Sequence, residues 1–221
     1  MSGQDHQNQD DSTLEFAALL CSRLCHDLLS PVGAFSNGLE LMASETDPDM
    51  QARCLDLLNE SARTSTNKLK FFRLAFGAAG GYGDELPVEE ARQAIEGMFA
   101  AAGRVSVNWM PGADMLNKRA VKILLNLALI AGDALVRGGQ LDIGAETGSN
   151  GIELAVRAQG QKIMLDGGLR AALDGSLSAD DLSARNAAAW MARRLVVQAG
   201  GQIMLSPEGE AALVFGAFLP R

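Results

Sequence analysis

Apolar residues recur at steps of three and four through the first part of the chain: Ala17, Cys21, Leu24, Leu28, Val32, Phe35, Leu39 and Met42. That spacing predicts one buried stripe along an amphipathic helix. Ser12 or Thr13 is placed to cap it, and it is expected to run to about residue 43, roughly 45 Å. Pro31 falls inside it, where proline removes a backbone hydrogen bond and bends a helix. Residues 1–13 are polar, acidic and aperiodic and read as a flexible tail. After a turn at 44–48, a second helix is expected over 49–76, with Cys54, Leu57, Leu58, Ser61, Ser65, Leu69, Phe72 and Phe76 inward. Two long helices joined by a short turn make an antiparallel hairpin. One hairpin cannot bury both stripes, whereas two paired as a four-helix bundle can, so residues 14–76 predict a homodimer.

Residues 77–84, with Gly-Gly-Tyr-Gly, read as a linker. From 85 to 221 the pattern alternates between helix and strand. Helices are expected at 88–102, 115–136 and 184–199, the last two closed by Gly138-Gly139 and Gly200-Gly201. Strands are expected at 105–109, 141–145, 152–156, 202–205 and 211–218, with short helix and loop over 166–181. The whole is an α + α/β chain: a helical hairpin, then a sandwich of one sheet with helices on one face.

Composition narrows the function. The 221 residues are 48% hydrophobic, and the formal charge is −8 with no basic block, which argues against a nucleic-acid partner. No apolar run reaches membrane length and no signal peptide opens the chain, so a soluble, cytoplasmic protein without a membrane partner is expected. Three cysteines, Cys21, Cys25 and Cys54, fit reduced thiols. Cys21 and Cys25 lie one turn apart beside His26, but no fourth ligand is apparent. They read as small buried apolar residues, and no metal site is assigned.

The chain has two histidines. His6 lies in the tail. His26 lies in the first helix, about 200° of rotation from both Leu24 and Leu28, and so points away from the stripe. Its helical neighbours are Leu19, Ser22, Arg23, Leu29, Ser30, Gly33 and Asn37, a small and mostly polar face that a partner's backbone can approach. Spacing alone favours an ordinary solvated histidine over a working one.

Residues 26–31, His-Asp-Leu-Leu-Ser-Pro, resemble the phosphoacceptor box of sensor histidine kinases. Leu29 stands where that box usually has a base, and Ser30 where it has Asn or Thr. The order of elements in 85–221 likewise resembles the ATP-binding domain of those kinases, so the resemblance spans nearly all of 14–221. The kinase chemistry is missing from it. Asn126 and Leu127 match the motif whose second Asn holds magnesium on ATP, but Ile130 occupies that second position and cannot ligate a hard cation. Gly160 matches one glycine of the adenine-reading motif, while Ala158 replaces its Asp and Lys162 its second glycine. The glycine-rich turn that should open the last helix and cradle phosphate reads Ser-Ala-Arg-Asn-Ala-Ala-Ala over 183–189, with Ala188 among its replacements.

A retained histidine beside a degenerate nucleotide site (Ile130, Ala158, Ala188) is similar to the dimeric histidine phosphotransferases of alphaproteobacterial cell-cycle phosphorelays. That resemblance implies that His26 takes a phosphoryl group from the receiver domain of a CckA-like hybrid kinase. Delivery is then to response regulators of the CtrA and CpdR type. It implies no cofactor of the chain's own, the Mg2+ being supplied by the receiver. An imidazole of ordinary pKa, about 6.5, is mostly neutral near neutral pH and can attack in line. Asp27 is either an orienting acid or an ordinary exposed helix acid, since adjacent helical residues do not face each other. Arg23 and Ser30 are candidates to contact the phosphoryl group. Lys68 and Lys70 read as a solvated face. Leu19, Ser22, Leu29, Gly33 and Asn37 are the expected docking surface. Gly33, costly inside a helix, asks for close approach by a partner or the neighbouring helix, or for the Pro31 bend. Two other readings stay open: a dimeric scaffold or inhibitor in which His26 is unused, and an active kinase or phosphatase.

Overall fold

The computed structural model describes residues 2–77, 84–100, 103–110 and 112–221, with side chains from residue 12 onward. Two long helices come first, α1 (Ser2–Ser44) and α2 (Pro48–Ala75). The Asp47 side chain accepts the Asp49 N–H and Pro48 occupies the first turn, so α2 starts on a side-chain cap and a residue with no N–H to satisfy. The expected flexible tail is not separate: α1 is helical from Ser2 and passes through Pro31. The expected linker lies largely outside the described residues, at 78–83.

Beyond it come β1 (Glu85–Pro87), α3 (Val88–Ala100), β2 (Val105–Trp109), β3 (Met115–Asn117), α4 (Lys118–Ala134), β4 (Gly139–Thr147) and β5 (Gly151–Gln159). Then follow α5 (Gly167–Asp174), a 3₁₀ turn (Ala179–Asp181), α6 (Ala187–Gln198), β6 (Gln202–Leu205) and β7 (Ala212–Pro220). The main sheet has the order β2-β4-β5-β7-β6, with β2 parallel to β4 and every other pair antiparallel. The expected helix at 115–136 begins later, because Met115–Asn117 pairs with β1 as a small antiparallel sheet and Asn117 then caps α4. The helix expected from 184 starts at Ala187. Asn186 instead ties down the preceding loop, accepting from the Ser183 N–H and donating to the Asp181 carbonyl.

Helix α4 is apolar on nearly every side and nearly every side is buried, as a central helix requires. It packs with α6 against one sheet face, where Leu141, Ile143, Leu154, Val156, Leu213 and Phe215 sit in the core. The hairpin is docked on this unit: α2 packs on α3 and α4, and α1 touches α6.

The stripe on α1 is only partly covered. Leu24 and Leu28 are half-buried, while Val32, Phe35 and Leu39 are 52%, 36% and 50% exposed. On α2, Leu57 and Leu69, expected inward, are also exposed, while Cys54, Leu58, Ser61 and Phe72 are buried. Cys21 and Cys25 are exposed too, contrary to their reading as core residues; only Cys54 is buried. Cys21 lies on the part of the stripe that faces solvent within one chain, and Cys25 lies at its edge.

Candidate functional site

Three polar side chains sit on one side of α1 because they are spaced by three and four: Arg23, His26 and Asp27. His26 is open, with 84% of its side chain exposed. Its Nδ1 lies 3.1 Å from Asp27 Oδ1. A carboxylate can only accept, so this contact calls for the proton on Nδ1, and in the neutral form of such a ring Nε2 keeps its lone pair. Asp27 is no ordinary surface acid, since its side chain is only 14% exposed and its other oxygen accepts from Arg23 Nε at 2.9 Å. Adjacent helical residues do not face each other squarely, yet the carboxylate reaches the edge of the ring.

Arg23 also donates through Nη2 to Asp133 Oδ2, in the last turn of α4, at 2.6 Å. Its guanidinium is thus engaged by two carboxylates, where a contact to the phosphoryl group was expected of it. Burial opposes its charge, but Asp133 and then Asp27 outweigh that and hold its pKa above the arginine norm. Partial desolvation at the cleft wall pushes the Asp133 carboxyl up; Arg23 pulls it back only in part. Lys68, read as a solvated lysine, instead donates to the Asp27 carbonyl at 2.7 Å and ties α2 to α1 beneath the histidine.

His26 and Asp27 share a cleft of about 540 Å³ with Ser22, Arg23, Asp133, Ala184 and Arg185. Arg185 is 72% exposed and pairs with Asp166 at 3.4 Å. It is the cation that sequence reading missed, because it lies 159 positions from His26 in a stretch read only for its lost glycines. Ser30 opens on a neighbouring cleft of about 650 Å³, which also holds Lys68, Arg104 and Asp133. Leu29 is 75% exposed, Ser22 and Asn37 are exposed, and Leu19 and Gly33 are half-buried. A Cβ added to Gly33 would meet nothing within 4 Å, so the neighbouring helix is not what this glycine accommodates. Gly38 is the close-packing glycine, since a Cβ there would lie 2.9 Å from the Leu58 side chain.

The positions read from the sequence as a degenerate nucleotide site lie in the core. Ile130 is 2% exposed, Ala158 fully buried and Ala188 1% exposed, all in one apolar cluster. The matching Asn126 is fully buried and donates to the carbonyls of Lys122 and Ala75.

Three comparisons bear on this arrangement. A family model for the histidine phosphotransferase C-terminal domain matches residues 88–211. Over 207 residues the chain is 32% identical to protein phosphotransferase ChpT of Brucella abortus (strain 2308), covering 93% of this chain and 96% of that protein. A solved bacterial phosphotransferase superposes with a TM-score of 0.80 at 30% identity, over 92% of this chain and 96% of the other. Sequence and fold thus agree along almost the whole length, hairpin and sandwich together, and this chain belongs to the histidine phosphotransferase family.

Proposed function

We propose that His26 is the residue through which this phosphotransferase works. It accepts a phosphoryl group from an aspartyl phosphate on a receiver domain and returns it to the aspartate of another. The observation that carries this is the pairing of opposites at one ring: Nδ1 held by Asp27 at 3.1 Å, and the rest of an 84% exposed side chain open to a partner. The Nε2 lone pair forms the N–P bond while the P–O bond to the partner's carboxylate breaks, its electron pair leaving with that carboxylate. The proton on Nδ1 stays where it is. The ring becomes cationic, and the Asp27 carboxylate beside it stabilises that charge. The reverse order of bond changes discharges the histidine. Catalysis is then positioning and charge neutralisation, most of it supplied by holding the two reacting groups in line.

The phosphoryl donor in this reading is the receiver domain of a hybrid kinase, CckA-like, and the takers are response regulators, CtrA-like and CpdR-like. In this reading the relay belongs to cell-cycle signalling and runs in the cytoplasm. Among the described residues no helix is long and apolar enough to cross a membrane. The receiver's own Mg2+ serves the reaction, and this chain needs no cofactor of its own. ATP is not a substrate: Ile130, Ala158 and Ala188 put apolar side chains where metal, adenine and phosphate contacts are needed, and they are packed in the core. The active unit is a homodimer. Val32, Phe35 and Leu39 of α1 with Leu55 and Leu69 of α2 form an apolar surface that a second hairpin would cover.

The test is phosphoryl transfer from a labelled receiver domain to the wild type and to His26→Gln, beside incubation with labelled ATP alone. Acid-labile label on the wild type only, and none from ATP, is the expected result. Label on folded His26→Gln, or labelling by ATP, would contradict the reading.

A further inference from the structure

Arg23 belongs to the hairpin and Asp133 to the sandwich, 110 residues further on, and they meet at 2.6 Å. The contact ends a chain of hydrogen bonds that starts at the acceptor ring: His26 Nδ1 to Asp27 Oδ1 at 3.1 Å, Arg23 Nε to Asp27 Oδ2 at 2.9 Å, Arg23 Nη2 to Asp133 Oδ2. We propose that Asp133 is a positioning residue for phosphotransfer: by anchoring Arg23 it fixes the Asp27 carboxylate against the ring, so that Nδ1 keeps the proton and Nε2 remains the open nitrogen. This rests on His26 being the acceptor.

An isolated Arg–Asp pair one helical turn apart is weak, because the long side chain explores many rotamers. Here the planar fork of Arg23 is gripped from two sides, and its side chain is only 15% exposed. Without Asp133 the guanidinium loses its second carboxylate, and Asp27 is held only by a mobile partner. Asp27 also needs such a hold, because adjacent side chains on a helix diverge by about 100°. Lys68 fixes the Asp27 backbone carbonyl but not its carboxylate. The unit that resembles a nucleotide-binding domain would then serve the reaction by setting the tautomer of a histidine on another element. Asp133 lies in a cleft shared with Arg23, Asp27 and His26, with 46% of its side chain exposed, so its replacement leaves the core intact.

The test uses the full chain with His6→Gln, which leaves one histidine, and compares Asp133, Asp133→Leu, Asp133→Glu, Arg23→Gln and the Asp133→Leu/Arg23→Gln double variant. Two-bond 1H–15N spectra of the His26 ring report the tautomer. Single-turnover transfer from a receiver domain phosphorylated by acetyl phosphate reports the reaction. Asp133→Leu should shift the ring from Nδ1–H toward a mixture. It should also slow transfer on the order of tenfold at saturating receiver, leaving half-saturation unchanged. Asp133→Glu should recover most of both, and the double variant should be no worse than either single. An unchanged tautomer in folded Asp133→Leu, or losses that multiply in the double variant, would overturn the proposal. Should Asp133→Leu fail to fold, Asp133→Asn gives the same two readouts. The spectra need no transfer, so a wild type that takes no phosphoryl group would refute the acceptor assignment while the tautomer still decides the role of Asp133.

Discussion

The side-chain amide of Asn126, in the middle of α4, donates to the backbone carbonyl of Ala75 at the last turn of α2, 3.3 Å away. That carbonyl is one of those a helix end leaves without an intrahelical partner. The asparagine that matches a nucleotide-binding motif therefore works here as a clasp between the hairpin and the sandwich. It is fully buried, and so is the Ala75 it holds.

Replacing Asn126 by Ala should cost about 1–3 kcal/mol of stability, the cost of stranding a buried carbonyl. Denaturant unfolding measures it. A variant as stable as the wild type would show that the clasp contributes nothing.

The exposed apolar positions on the hairpin make the dimer testable without touching the site. Phe35→Glu or Leu39→Asp puts a charge into the proposed seam, where removing it from water is costly. Light scattering coupled to gel filtration should report a folded monomer for the variants and a dimer for the wild type. A dimer that survives both substitutions would place the seam elsewhere.

Acid should weaken the fold partly through Asp142, on the sheet face away from the helices. Asn108 and then Gln140 donate to its carboxylate, and Arg157 adds a third contact, at 2.9, 2.6 and 3.1 Å. These hold its carboxyl below the usual carboxylate range. A depressed folded-state pKa gives stability that is present above the unfolded-state value and is lost as pH falls through the folded-state value. Melting temperatures of the wild type and Asp142→Asn should therefore differ most above the usual carboxylate range and converge as the pH falls below it. A gap that stays constant across that range would count against this network.

Gly33 separates docking from folding. A side chain there meets open space, so Gly33→Leu should keep or slightly raise the melting temperature, leucine being the better helix former by up to about 1 kcal/mol. It lies two turns along the helix from His26, and its bulk should slow transfer from a phosphorylated receiver by on the order of tenfold or more. Normal transfer by the folded variant would put the docking surface on another face.

Much of this architecture was legible in the residues. The periodicity of α1 and α2 and the glycines that close α4 and α6 gave hairpin and sandwich nearly in register. Met115–Asn117 was absorbed into α4, because three residues are too few to show a period. The open histidine was visible from its rotation off the apolar stripe. Its surroundings were not, since Asp133 and Arg185 reach it only through tertiary packing. Arg23 and Lys68 were visible as charges, but their partners, Asp133 and the Asp27 carbonyl, lie 110 and 41 positions away.

The central claim is that His26 carries the phosphoryl group on the nitrogen that Asp27 leaves open. Phosphorus-31 NMR of the 15N-histidine-labelled protein, charged by a phosphorylated receiver without ATP, tests it directly through nitrogen–phosphorus coupling. A single phosphoramidate resonance coupled to Nε2, abolished in His26→Gln, is the predicted result. Phosphorus on Nδ1, or a phosphoramidate that survives in His26→Gln, would contradict it.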